Sequence, residues 1–298
     1  MVCLRLFDLH CDTLFECNAL KCNIDNINLC INIEAAKGFE RYIQCFAVFV
    51  PDELRGEQAE LHAKKLISVF ETQKKRFKEF FEYCMPVLTV EGGAALGGKL
   101  ENIKYFHDRG VRVMTLTWNG ENEIAGGAFS DAGFSDFGKS VVKEMEAIGI
   151  IADVSHLNEK SFYELCEFSK HPFIATHSCS RAVTDHVRNL TNDQFKEIRN
   201  RKGIVGITLA DQFLHKDGNA NFDDILRHTE NFLSLGGENI VAFGSDFDGA
   251  QLPKDIKSIS DVFKLYNHFL KHNYSEQLLD KIFFENANNF FERHGGLK

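Results

Sequence analysis

The sequence predicts an α/β fold: a (β/α)8 barrel of the TIM type, in a single domain over residues 1–298. Three observations point there. Eight short β-rich apolar runs alternate with amphipathic helical stretches, and the alternation fills nearly the whole chain. No Pro/Ser-rich linker, low-complexity tract or internal repeat divides the sequence. No Gly-x-Gly-x-x-Gly or Walker-type loop follows any run, which disfavours a doubly wound open sheet.

In order, the strand candidates are residues 3–12, 42–50, 86–91, 111–118, 150–156, 173–177, 203–209 and 240–246. The clearest helical pattern lies over residues 58–83, where Leu61, Lys65, Val69, Phe77, Phe80 and Phe81 recur near a 3.6-residue period. Further helical stretches cover residues 100–109, 137–148, 160–169, 192–201 and 223–235, and a long tract begins at Asp261. Thr191-Asn192-Asp193-Gln194 and Ser260-Asp261 offer N-caps. Gly110, Gly149, Gly203 and Gly236-Gly237 mark exits from helices into strands. Residues 18–41 read as an irregular excursion with a short helical piece around residues 33–37.

At 44% hydrophobic composition, the chain can bury one large core or two modest ones. No apolar stretch approaches the roughly 20 residues of a membrane span, and no signal pattern precedes the first run. A soluble, cytoplasmic protein without a membrane partner is expected. The net charge of −9 and the absence of a long basic block argue against nucleic acid as a partner. Nine cysteines occur, with Cys3, Cys11, Cys17, Cys22 and Cys30 crowded at the start, but no Cys-x-x-Cys. Reduced packing thiols are expected rather than disulfides or a cysteine metal site. The 28 phenylalanines are read as core filling.

Barrel enzymes project their chemistry from the C-terminal ends of strands. The first run ends in His10 and Asp12, which alternation places on one face, with Cys11 on the other. The third ends in Glu91, the fifth in His156, the sixth in His177 and the eighth in Asp246 and Asp248. One polar residue at a strand end is ordinary. Five strands ending in His, Asp or Glu assemble three imidazoles and up to four carboxylates around one ring. That is the inventory of a two-metal site with a bridging carboxylate. The other histidines lack this setting. His62, His107, His228, His268, His272 and His294 fall on helical stretches and are expected at the surface, His186 and His215 fall in loops, and His171 precedes a strand.

Taken in order, Asp8-x-His10-x-Asp12, Glu91-Gly92, Ser155-His156, Thr176-His177-Ser178, Arg188-Asn189 and Gly244-x-Asp246-Phe247-Asp248-Gly249 resemble the membrane (renal) dipeptidase family. Its members are binuclear zinc peptidases of the amidohydrolase superfamily. The resemblance runs from about residue 7 to the region of residues 286–291. It implies that His10 and Asp12 bind one zinc, His156 and His177 the other, and Glu91 bridges them. It further implies that Asp246 shuttles the proton and that Arg188, eleven residues past His177, holds the terminal carboxylate of the substrate. Many other amidohydrolase barrels bridge their metals with a carboxylated lysine on strand four. Here that strand ends Thr115-Leu116-Thr117-Trp118-Asn119, without a lysine, which leaves Glu91 as the bridge. Animal members of the family carry a histidine in this segment to steady the reaction intermediate. Trp118 and Asn119 stand in its place as substrate-binding residues, both able to donate a hydrogen bond.

The expected activity is metal-dependent hydrolysis of a dipeptide with a free C-terminal carboxylate, using two divalent ions, zinc above others. The alternatives are a hydrolase of another small amide, lactam or ester, and a non-catalytic metal-binding barrel. The oligomeric state is left open, a homodimer included.

Overall fold

The computed structural model describes residues 4–295 and 297. Seven strands form one parallel sheet: β1 (Arg5–Asp8), β2 (Arg41–Phe49), β3 (Cys84–Glu91), β4 (Val111–Thr115), β5 (Ile151–Asp153), β6 (Val205–Ile207) and β7 (Val241–Phe243). Their order is β5-β4-β3-β2-β1-β7-β6. Residues 173–177 join the two outer strands, because Ile174 bridges Asp153 of β5 and Ala175 bridges Val205 of β6. The sheet therefore closes into a barrel, and the expected sixth strand is its eighth stave.

That stave is bonded on both sides yet makes no regular ladder. Its Thr176 N–H donates to the Asp153 carboxylate at 2.9 Å, not to a backbone carbonyl. The Thr176 carbonyl also presses against Gly206 and Gly244, where an added Cβ would sit 2.1 and 1.8 Å from it. Only glycine permits such an approach.

The helices are α1 (Thr13–Ala19), α2 (Gly56–Arg76), α3 (Lys78–Tyr83), α4 (Glu101–Asp108), α5 (Asp136–Ile148) and α6 (Glu159–Phe168). They continue with α7 (Asn192–Asn200), α8 (Asp211–Leu214), α9 (Phe222–Ser234), α10 (Val262–Lys271), α11 (Glu276–Asp280) and α12 (Asn286–Arg293). A π turn, Lys281–Glu285, joins the last two. No helix among the described residues is long and apolar enough to cross a membrane.

Several local expectations change. The pattern over residues 58–83 breaks at Phe77 (φ −116°, ψ 51°) into α2 and α3. Helix α1 was not anticipated, being too short to display a period. The piece around residues 33–37 is a run of turns, pinned by Asn32 Oδ1 accepting from the N–H groups of Glu34 and Ala35. Thr191 caps α7 as expected, in a capping box with Gln194, but ahead of α10 the cap is Ser258, with Asp261 as its reciprocal partner. His228 is not at the surface: it is fully buried on α9, accepting from Ser180 N–H and lying 3.0 Å from Leu214 O. The expected start of the first strand at Cys3 lies outside the described residues, and the eight described cysteines are all free.

Apolar side chains divide into two clusters. The larger fills the shell between sheet and helices, with Phe46, Phe106, Phe162, Phe195, Phe232 and Phe269 among its members. The smaller joins Phe7, Ile43, Val87, Val113, Ile151, Ile174 and Ala242 to Phe284, Phe290 and Phe291 of the C-terminal helices. Phe7 lies 4.9 Å from Phe291, and Arg5 pairs with Asp280 and Glu285, so the chain's end is fastened to its first strand.

Candidate active site

The expected metal-binding residues and Asp246 stand at or just past the C-terminal ends of staves, whereas Arg188 stands in the loop before α7. Glu91 closes β3, His177 closes the segment 173–177, and His156 and Asp246 each follow three residues after β5 and β7. Strand β1 ends at Asp8, and His10 and Asp12 occupy the stretch leading into α1, tied down by the bridge from Cys11 to Phe247. His10, Asp12, Glu91, His156 and His177 are all buried.

Glu91 lies between two groups of side chains. Its Oε2 is 3.5 Å from His10 Nε2, which is itself 3.5 Å from Asp12 Oδ2 and 3.8 Å from Asp246 Oδ1. Its Oε1 is 2.8 Å from His156 Nε2 and 3.5 Å from His177 Nε2. The hydrogen-bond network assigns both of those tautomers. His156 Nδ1 meets Asn119 Oδ1 at 3.0 Å, an acceptor, so Nδ1 carries the proton. Thr176 Oγ1 gives its hydrogen to Asp153 at 2.6 Å and therefore accepts from His177 Nδ1 at 2.8 Å. Both Nε2 atoms are then bare lone pairs, 2.9 Å apart and facing a carboxylate.

Acceptors converging in this way offer lone pairs that a cation can share. His10 Nε2 and Asp12 Oδ1 are buried without a hydrogen-bond partner among the described residues, as metal-directed ligand atoms would be. Two sets of atoms, His10–Glu91–His177 and His10–Asp12–Asp246, each fall within 4.8 Å of one another. Imidazole and carboxylate are the donor set of zinc and its neighbours in the first transition row. The residues present fit divalent metal.

The electrostatics agree. Burial pushes the His156 and His177 imidazoles well below their usual range, aided by the charges of Arg188 and His10, so both are neutral. Burial also disfavours a charged His10, but Glu91 and Asp12 outweigh it and hold that imidazole well above the usual value. Burial, with Asp12 beside it, raises the Glu91 carboxyl.

A second layer orients this cluster. Asp153 accepts from Thr115 Oγ1, Ser155 N and Thr176, fixing the His156 and His177 loops together. Asp8 accepts from Ser245 N at 2.8 Å and Ser245 Oγ at 2.6 Å, which ties β1 to the loop bearing Asp246. His156, Asp246 and Asp248 have positive φ (73°, 64° and 64°), the left-handed conformation that side chains seldom adopt. Such strain persists only where the surroundings over-determine it, as at reactive sites. Asp248 is committed elsewhere: it accepts from Thr13 Oγ1, Cys30 N and Ile31 N, anchoring the excursion before β2.

A cleft of about 320 Å3 opens over the cluster. Asp12, Glu91, His156 and Asp246 form its floor, and Phe15, Phe49 and Trp118 form an aromatic wall whose rings meet edge to face. Asn119 also lines it while holding His156. Arg188 is 4% exposed, its guanidinium carbon 5.3 Å from the ring centre of Phe213, another lining residue. Its Nε and Nη2 are buried without partners among the described residues. Burial lowers its pKa to about 10, against the pull of Asp246 and Glu91.

The sequence assigns no role to Asp153, nor to Thr176 beyond its place in Thr176-His177-Ser178. An aspartate inside the apolar run ending in His156 was the available signal. Their relay depends on pairing between distant segments, which spacing does not reveal.

Fold and site together define a metal-dependent hydrolase on a (β/α)8 barrel. A family model described as membrane dipeptidase (Peptidase family M19) matches residues 1–293. The chain is 27% identical to a solved metallopeptidase of that family, dipeptidase AC, with a TM-score of 0.92 over 99% of this chain and 100% of that one. It is 26% identical to a metallopeptidase from Rhodobacter sphaeroides solved with a phosphinate mimic of the dipeptide L-Ala-D-Ala (TM-score 0.90; 98% and 100% covered). Among curated sequences, an uncharacterised protein of the pqqA 5′ region of Klebsiella pneumoniae is 32% identical over 212 residues, 67% of this chain and 78% of that protein. The aligned part spans less than half the length of the dipeptidases of Schizosaccharomyces pombe, Claviceps purpurea and Rattus norvegicus that it matches. The chain belongs to the membrane dipeptidase family, and its chemistry is that of a metallo-dipeptidase.

Proposed function

We propose that this protein hydrolyses dipeptides with a free C-terminal carboxylate, holding two divalent ions, zinc by preference, as a binuclear site. His10 and Asp12 would hold one ion, His156 and His177 the other, with Glu91 offering one oxygen to each. When bound, such ions supply a water activated near neutral pH and polarise the scissile carbonyl. Arg188 grips the substrate carboxylate, preferably as a bidentate pair, and so fixes the distance from chain end to scissile bond. Asp246 accepts the proton of the attacking water and returns it to the leaving amine. Burial pushes its carboxyl upward, towards a pKa suited to both steps. Asn119 keeps His156 oriented, and Trp118 packs along the substrate with its indole N–H available as a donor.

Arg188 carries this assignment. A buried guanidinium with two unpartnered nitrogens beside the cleft is costly unless an anion completes it, and a dipeptide's carboxylate is such an anion. The test compares free dipeptides with dipeptide amides. Arg188→Met should raise KM for the acid by about 30-fold or more, the loss of a buried charged partner, and barely change the already poor hydrolysis of the amide. Equal losses on both substrates would make Arg188 structural and remove the carboxylate requirement.

A further inference from the structure

Away from the active site, two imidazoles and a carboxylate converge on the protein surface. His268 and His272 stand four residues apart at the C-terminal end of α10, hence on one face, with ring centres 4.6 Å apart. Asp223, in the first turn of α9, places Oδ1 2.8 Å from His268 Nε2 and 3.8 Å from His272 Nε2. All three ligand atoms lie within 4.8 Å of one another.

We propose that Asp223, His268 and His272 form a separate surface site for a transition-metal ion such as zinc, nickel or copper. Zinc ligands at about 2.0–2.1 Å in a tetrahedron stand about 3.3 Å apart. The 2.8 Å pair must open by a few tenths of an ångström and the 3.8 Å pair must close by about as much, small rotations for partly exposed side chains. Asp223 Oδ1 is within hydrogen-bond distance of His268 alone, since His272 stands beyond reach. An ion satisfies all three. The Phe222 ring, 5.5 Å from that of His268, steadies one ligand. The negative end of the α10 dipole also favours a cation at its last turn. Two imidazoles and one carboxylate select a transition ion over magnesium or calcium, with water in the remaining positions. Such an ion fastens the start of α9 to the end of α10.

The site is tested without reference to catalysis. Untagged protein should be retained on nickel held by an iminodiacetate resin, because a half-exposed His pair reaches an immobilised ion. His10 and His177, each 1% exposed, do not. His272→Ala and His268→Ala should pass through or elute at clearly lower imidazole, and Asp223→Asn should elute between them and wild type. Calorimetric titration with zinc should count one more ion in wild type than in His272→Ala, with dipeptide hydrolysis unchanged. Equal retention and equal zinc counts in wild type and His272→Ala would overturn the proposal, whatever the active site binds.

Discussion

Glu91 shows how much one side chain decides here. Its two oxygens face different groups of side chains, 3.5 Å from His10 on one side and 2.8 Å from His156 on the other. Three carboxylates, Asp12, Glu91 and Asp246, crowd this buried space, so removal of metal leaves charges poorly compensated. Chelation should lower the melting temperature and added zinc should restore it, since a ligand of the native state alone stabilises by mass action. Identical melting of stripped and reloaded protein would exclude a metal role for the cluster. Asp246→Asn is nearly isosteric but cannot accept and return a proton. It should retain metal and fold while losing about 10²–10⁴-fold in kcat. A loss below tenfold would move proton transfer to another group. Gly249 matters for what it lacks: an added Cβ would sit 2.0 Å from Asp12 Oδ2 and 2.7 Å from Asp246 Oδ1. Gly249→Ala should therefore displace both carboxylates, with a loss of about a hundredfold in kcat/KM at near-native melting temperature. Full activity in that variant would show that the loop yields.

At the scale of elements, the loop bearing Arg188 is held from both sides. Asn189 Nδ2 donates to Thr184 O at 2.8 Å and Phe213 O at 2.9 Å. Directly after it, α7 begins with the capping box in which Thr191 Oγ1 accepts from Gln194 N at 3.1 Å and Gln194 Oε1 accepts from Thr191 N at 2.9 Å. Thr191→Ala should cost about 1 kcal/mol in urea denaturation, whereas Thr191→Ser should cost much less. If the two variants unfold alike, the side-chain cap is not what starts this helix. The cap was legible because its signal is local, four residues long. The true cap before α10 was missed because Ser258 and Ser260 are both plausible, and only the turn's path puts Ser258 in position.

For the whole molecule, His228 links distant parts of the chain, joining α9 to the loop at Ser180 and to Leu214 at the end of α8. Burial lowers its pKa to about 4, so it is neutral in the fold. Unfolded, it would take up a proton near pH 6.5. Between those values the unfolded chain binds more protons, so stability is intact above pH 6.5 and falls as pH drops towards 4. The loss from this group is about 3 kcal/mol. Asp8, raised to about 6 by burial, opposes this trend over part of the range. The informative quantity is therefore the difference between wild type and His228→Gln. The variant should lose less stability from pH 6.5 to 4, and parallel curves would mean that His228 does not titrate there.

The alternation of apolar runs and helices, together with His, Asp or Glu at the ends of five runs, determined the barrel and the residues of its rim. Both follow from local rules: the period of each element, and the emergence of strands at one end of a closed sheet. The tertiary structure alone decided the rest. The stave at residues 173–177 loses its regular ladder because Thr176 bonds to Asp153 and lies against two glycines from other strands. The tautomers of His156 and His177 are set by Asn119 and Thr176, one from the loop after β4 and the other through Asp153 of β5. Asp248, a carboxylate two residues from Asp246, is withdrawn from chemistry by bonds to Thr13, Cys30 and Ile31. His228 is buried although its helix reads as amphipathic with histidine on a polar position. Each of these depends on partners far away in the sequence, and a one-dimensional pattern carries no record of which distant groups will meet.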